Sequence, residues 1–324
     1  MVHESDPVVA EVRRGDIVEC LHHGSVAVTR PGGGLRLAVG QVDAPMLPRS
    51  ALKPLQAVAM LRHGLDLSGA ELALVGASHS AEAFHLDGVL SILDGAGLPA
   101  SALQTTPALP GDATALADWL RAGRDKEPLA HCCSGKHAGM LRTCARNDWP
   151  TPTYLAPEHP LQAALHRTVA ELTGDDLPGS VPDGCGAPAF TVTLAGLARA
   201  FGRLAAASDG PEKLVADAFR LHPEYASGTT RAEPVFHREV PGLICKSGAE
   251  GVLAVGLDDG TGIAVKISDG ADRATVAVLV ALLGGLGLTT PALEALNPYP
   301  VLGHGAPVGR VVSRLGLPER LRDS

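Results

Sequence analysis

The chain has 324 residues, of which 45% are hydrophobic and 19% charged, a balance that can bury a sizeable core and excludes a largely disordered polymer. Its formal charge is -8, from 27 basic and 35 acidic residues, and no cluster of Lys and Arg tracks a phosphate backbone, so nucleic acid is excluded as a partner. Met1 to Asp6 is polar and acidic and lacks the basic and then apolar segments of an export signal, which predicts a cytoplasmic protein. There the six cysteines are expected to be reduced thiols or metal ligands, not a disulfide framework.

In chain order, Val8 to Val12, Ile17 to Leu21, Ser25 to Thr29 and Leu35 to Val39 read as strands of an antiparallel meander, the last two separated by a Pro31 to Gly34 turn. Helical periodicity follows at Ala51 to Leu61, Ala113 to Ala122, Leu161 to Leu172, Leu194 to Leu204 and Leu214 to Leu221, with Gly174 and Pro223 as stops. Leu72 to Val75 reads as a short apolar strand. Val252 to Leu257 and Gly262 to Ile267 flank Asp258-Asp259-Gly260-Thr261, a hairpin turn. The apolar run Ala274 to Leu288 falls short of the ~20 residues that span a bilayer and reads as a buried helix, so no membrane partner is expected. The Pro-rich tail from Thr290 reads as irregular surface wrapping.

The class is therefore α+β: one antiparallel sheet built from N- and C-terminal segments, flanked by helices, with a mostly helical middle. The chain is expected to be a single catalytic unit of two lobes, a sheet lobe from residues 1–50 with 240–324 and a helical lobe from 51–239.

Only six lysines accompany 21 arginines, and Lys53, Lys136 and Lys246 each sit in a Ser-, Gly- or Cys-rich motif. Arginine cannot lose its proton in a protein, whereas buried lysine can, so lysine in such a motif hints at a neutral amine. In Arg49-Ser50-Ala51-Leu52-Lys53-Pro54, Pro54 restricts Ser50 to Lys53 to the very start of a helix, in a tightened 3₁₀ turn where residues three apart eclipse. An amine held there, its pKa lowered by burial and by the helix N-terminus, can activate the Ser50 hydroxyl. Gly76-Ala77-Ser78-His79-Ser80-Ala81-Glu82 resembles a nucleophile elbow only in part, because serine stands where the elbow has its second glycine; a strand-ending turn with a serine cap is the alternative.

His131-Cys132-Cys133-Ser134-Gly135-Lys136-His137 is not a phosphate loop, since Ala130 stands where the required glycine belongs. Cys133, Lys136 and a second thiolate from Asp183-Gly184-Cys185-Gly186 form an N/S donor set that suits zinc; buried free cysteine is the alternative. Cys245-Lys246-Ser247-Gly248 enters the C-terminal hairpin. Lys266 reads as structural, its stem packed and its amine paired with a carboxylate.

Taken jointly and in order, Arg-Ser-x-x-Lys, Ala-Ser-His-Ser-x-Glu, Cys-Ser-Gly-Lys-His, Asp-Gly-Cys, His-Pro-Glu and Lys-x-Gly-Ala resemble the rhizobial-type asparaginases, also called the asparaginase II or class 3 family, related in fold to serine β-lactamases and transpeptidases. The resemblance implies an L-asparaginase cleaving L-asparagine to L-aspartate and ammonia. It implies two serine–lysine pairs, Ser50 with Lys53 and Ser78 with Lys246, and zinc held by Cys133, Lys136 and Cys185. Arg49, His137 and Asp183 would line the substrate site, and a homodimer is expected. One departure stands out: Cys132 occupies a position that is usually Asn in the family. Two other readings stay open, a penicillin-recognising or β-lactamase-like serine hydrolase and a non-catalytic, zinc-stabilised amino-acid-binding protein.

Overall fold

The β-branched residues of Val8–Arg14 and Ile17–Thr29 favour extended chain, and these segments form an antiparallel pair in the computed structural model, which describes residues 6–316 and 321. Met1–Ser5, most of the polar start considered above, lies outside the described residues. The chain divides into two compact units, one of Met1–Ala51, Val192–Ala206 and Val235–Ser324, the other of Leu52–Thr191 and Ala207–Pro234.

The first unit is built on an eight-stranded antiparallel sheet. Its strands run in the order Val301–Gly303, Ala306–Ser313, Val8–Arg14, Ile17–Thr29, Gly262–Ile267, Val252–Gly256 and Ile244–Gly248, and Leu35–Val39 also pairs with Ile17–Thr29. The two strands expected at Ile17 to Leu21 and Ser25 to Thr29 are one continuous strand. Its first half pairs with Val8–Arg14 and its second with Gly262–Ile267, so Gly24, on whose Cα a side chain would meet the Lys266 carbonyl, does not interrupt it. The helices Leu194–Ala205 and Asp272–Gly285 pack on this sheet. The tail departs from expectation: Pro291–Ala295 is a short helix, and Val301–Gly303 and Ala306–Ser313 are sheet strands. Val308, Val311 and Val312 supply the β-branched residues that a count of prolines hides. Lys266 also differs, donating to the carbonyls of Glu250 and Ile267, the latter at 2.8 Å, and not to a carboxylate.

The second unit is helical apart from the short hairpin Ser180–Pro182 with Pro188–Phe190. Its central helix, Lys53–Arg62, is buried continuously from Lys53 to Met60 and packs against Pro160–Thr173, Gly210–Leu221 and Ser134–Arg146. Leu72 to Val75 is not a strand but the buried end of the helix Gly69–Val75. A short apolar run has the same pattern in either state, and helical neighbours decide it here. Among the described residues, no helix is long and apolar enough to cross a membrane.

Candidate active site

The 3₁₀ turn Arg49–Leu52 leads directly into the helix that Lys53 opens, with Pro54 in its first turn, where a missing N–H costs nothing. Because that helix is central to its unit, the Lys53 side chain is only 2% exposed. A buried ammonium needs acceptors, and Lys53 Nζ donates to the Ala77 carbonyl and lies 3.1 Å from Ser78 Oγ. Lys53 was expected to serve Ser50; its hydrogen bonds run instead to the loop that follows Gly69–Val75. That loop is fixed by its backbone, with Ser78 N–H donating to Ala226 O at 3.3 Å and His79 N–H to Cys132 O at 3.1 Å.

His79 reinforces this junction. Its Nδ1 accepts the Ala81 N–H at 3.1 Å, which leaves the proton on Nε2 for Ser134 Oγ at 2.8 Å. Burial, then His85 and Lys53, push its pKa well down, so the ring is neutral. Left-handed backbone is costly for residues with a Cβ and collects at functional sites. Arg49 at φ 52° and Ala81 at φ 59° adopt it, one residue before Ser50 and three after Ser78.

The third motif forms the start of the helix Ser134–Arg146, whose residues from Ser134 to Leu141 are all buried. Gly135 makes this possible, since a Cβ there would lie 2.4 Å from the Leu74 carbonyl. Cys133, directly before the helix, is 5% exposed, Lys136 2% and Cys185 1%. Cys185 sits on a tight turn in which Asp183 N–H donates to Ala187 O and Gly186 N–H to Asp183 O, both at 2.9 Å. Lys136 Nζ donates to Cys185 Sγ at 3.3 Å. Asp183 is half-buried, and its Oδ1 accepts the Gly184 N–H at 2.7 Å.

Thiol and amine charges are coupled here. Hydrogen bonds from Cys132 and Cys185, opposed by burial and aided by Lys53, hold the Cys133 thiol well below its ordinary range. Cys185 is pushed up, first because its proton serves Cys133 and then by burial. Lys53 was expected to have a lowered pKa. Burial does act in that direction, but the charges of Cys133, Cys132 and Cys185 outweigh it and the net direction is up. In this protonation state Lys53 is a hydrogen-bond donor, not a base.

His137 is fully buried, and its Nδ1 lies 2.7 Å from Tyr154 Oη. Tyr154 Oη already accepts the Gln104 N–H at 3.1 Å. If the tyrosine proton goes to Nδ1, every group at this contact is satisfied; the imidazole is then neutral, as burial followed by Lys136 dictates, and its proton sits on Nε2. That Nε2 is buried and has no hydrogen-bond partner among the described residues, a donor available to a ligand.

Three expected residues belong to the first unit. Lys246 is buried on the strand Ile244–Gly248 and donates to Ser247 O at 2.6 Å. Gly248 lets that strand approach the turn that carries Arg49 and Ser50, since a Cβ there would lie 2.2 Å from Pro48 O. Ser50 and Arg49 are half-buried. In the second unit, Lys53 meets Ser78, and Cys133 lies among Lys53, Cys132 and Cys185. Sequence reasoning gave no role to Tyr154 or His79: Tyr154 follows an irregular Thr151–Thr153 turn, and no periodic signal relates it to His137.

Two thiols and an amine, all buried, fit zinc by the chemistry of their donors. Next to them His131, Cys132 and Cys133 place a ring nitrogen and two sulfurs within 4.8 Å of one another.

A lysine-bonded serine hydroxyl is an arrangement that can carry acyl transfer to water, and family membership makes the protein an amidohydrolase of the α+β class. More narrowly, residues 10–313 match the L-asparaginase II family, and the chain belongs to it. No curated protein sequence matches the chain. Similar solved structures include a β-lactamase from Mycobacterium bovis, 18% identical over 81% of this chain and 94% of that one, with a TM-score of 0.45. They also include a probable glutaminase from Bacillus subtilis complexed with 6-diazo-5-oxo-L-norleucine, 13% identical, covering 82% and 84% of the two chains with a TM-score of 0.37. Mglu is 16% identical over 82% of this chain, which spans 67% of that structure, at a TM-score of 0.38.

Proposed function

We propose that the protein hydrolyses L-asparagine to L-aspartate and ammonia, with Ser78 and Lys53 as its central pair. The observation that carries this reading is the 3.1 Å contact between Lys53 Nζ and Ser78 Oγ in a buried setting, joined to membership of the L-asparaginase II family. In the reaction, the Ser78 hydroxyl attacks the side-chain amide carbon while its proton passes to the amine of Lys53. The same proton then leaves with the amide nitrogen as ammonia, forming an acyl ester that water cleaves to give aspartate and free serine. Cys133, Lys136 and Cys185 would hold zinc, whose positive charge would offset the thiolates that keep Lys53 protonated, letting burial lower its pKa. His137 Nε2–H supplies a hydrogen bond to substrate, and Arg49 and Asp183 are assigned, from the resemblance alone, to lining or supporting the substrate site.

A second reading keeps Ser50 as the nucleophile, favoured by the strained left-handed residue that precedes it. Ammonia release from L-asparagine by Ser78→Ala, Ser50→Ala and Lys53→Met separates the two. Ser78→Ala is expected to abolish turnover; full activity in Ser78→Ala with none in Ser50→Ala would transfer the nucleophile to Ser50. Hydrolysis of a chromogenic β-lactam without ammonia release would favour the penicillin-recognising alternative, and asparagine binding without turnover the non-catalytic one. Zinc analysis of wild type and Cys185→Ala, and light scattering for the proposed homodimer, complete the test. The cytoplasmic location is proposed from the sequence alone.

A further inference from the structure

Cys132 carries a thiol that the proposed reaction does not use. It is exposed, whereas Cys133 beside it is buried. Their sulfurs are 3.8 Å apart. In a tetrahedral centre with metal–sulfur distances of about 2.3 Å, two sulfurs lie roughly 3.8 Å apart, so the two thiols already have the spacing of two corners of such a site. The ring nitrogen of half-buried His131 falls within 4.8 Å of both. Adjacent residues converge in this way because the chain turns here, with Ser134 N–H donating to His131 O at 2.8 Å and Cys132 O accepting from His79 N–H at 3.1 Å. The Nδ1 lone pair of His131 faces Cys133 and accepts its N–H at 3.0 Å; a cation would take that lone pair in exchange for a weak bond.

We propose that His131, Cys132 and Cys133 form a second metal site, taking a thiophilic d¹⁰ ion of the Zn²⁺ or Cd²⁺ class and sharing Cys133 with the buried Cys133, Lys136 and Cys185 group. Two thiolates and an imidazole are the donors such ions prefer. The fourth position faces solvent on the Cys132 side, so this site can capture an ion from solution, which the buried group, with Cys185 1% exposed, is poorly placed to do. The proposal is independent of which amide the enzyme cleaves.

The test is a Cd²⁺ titration of metal-free protein under reducing conditions, following the ultraviolet thiolate-to-metal absorption. Saturating absorbance is expected to fall by about a third in Cys132→Ser, from three bound thiolates to two. His131→Ala is expected to weaken Cd²⁺ binding at least tenfold in the double variant Cys185→Ser/Lys136→Met, which lacks the buried group and should still bind one ion. Adding Cys132→Ser to that double variant should abolish binding. Equal saturating absorbance in wild type and Cys132→Ser would overturn the proposal, as would a folded double variant that binds no Cd²⁺. If the double variant does not fold, the comparison with Cys132→Ser, at an exposed position, decides the question alone. Loss of zinc or of ammonia release on changing Cys185, with the Cys132 and His131 results intact, would concern the buried group only.

Discussion

The amine of Lys53 joins the serine loop to the thiols. In the proposed reaction, replacing Lys53 with Met would remove the proton acceptor, and Lys53→Arg would keep the charge without being able to release a proton. Both variants are expected to lose about 10²-fold to 10⁴-fold in turnover, measured as ammonia release at saturating asparagine from protein shown by circular dichroism to be folded. Arginine retaining more than about a tenth of the wild-type rate would exclude a basic role for the amine. Tyr154 acts through His137. Tyr154→Phe leaves the Gln104 N–H and His137 Nδ1 without their partner, at an expected stability cost of about 1–3 kcal/mol, and the imidazole loses the bond that selects its tautomer. Nitrogen NMR of the ring would report this directly: a single Nε2–H tautomer in wild type, and a mixture or the other tautomer in the variant. An unchanged spectrum would remove Tyr154 from the positioning role.

At the scale of elements, the helix Ser134–Arg146 can lie against Gly69–Val75 only because Gly135 has no side chain. Gly135→Ala places a methyl on the Leu74 carbonyl and is expected to destabilise the protein by about 1–3 kcal/mol, seen as a lower denaturant midpoint with an unchanged slope. Such contacts set the boundary of what was legible in the sequence. Periodicity located Ala113–Arg121, Pro160–Thr173, Leu194–Ala205 and the hairpin around Gly260 closely, because each carries its own pattern and stop signals. It did not locate Ala83–Asp94 or Ser134–Arg146, where polar motif residues interrupt the apolar stripe, and it misread Leu72 to Val75, whose helical state is set by neighbours. The Ser–x–x–Lys motif marked the 3₁₀ turn that leads into Lys53. The partner of that lysine depends on a loop 25 residues away, and no spacing rule encodes it. The direction of the Lys53 shift escaped for the same reason, since it is set by thiolates distant in sequence.

At the scale of the whole molecule, acid should find the buried histidines first. His85 Nδ1 accepts the Glu82 N–H at 3.2 Å and Nε2 lies 2.9 Å from Glu224 O, so both nitrogens are committed in the neutral ring. Burial lowers its pKa to about 4, against about 6.5 in an unfolded chain. Between those values the unfolded state binds a proton that the folded state refuses, so stability falls as pH drops from about 6.5 toward about 4, by up to roughly 3 kcal/mol for this one ring. Thermal melts across that window should show the decline, and His85→Gln should make it shallower, the remainder coming from His79 and His137, whose pKa values burial also lowers; an equally steep decline in His85→Gln would assign the effect elsewhere. The sheet has its own constraint, because Val8–Arg14 pairs on one side with Ile17–Thr29 and on the other with Ala306–Ser313. On a ribosome the first of these strands emerges almost three hundred residues before its outer partner. Until residues 306–313 have been made, one edge of an apolar strand waits uncovered, and a nascent chain halted before residue 306 should be the species that chaperones hold and that aggregates first.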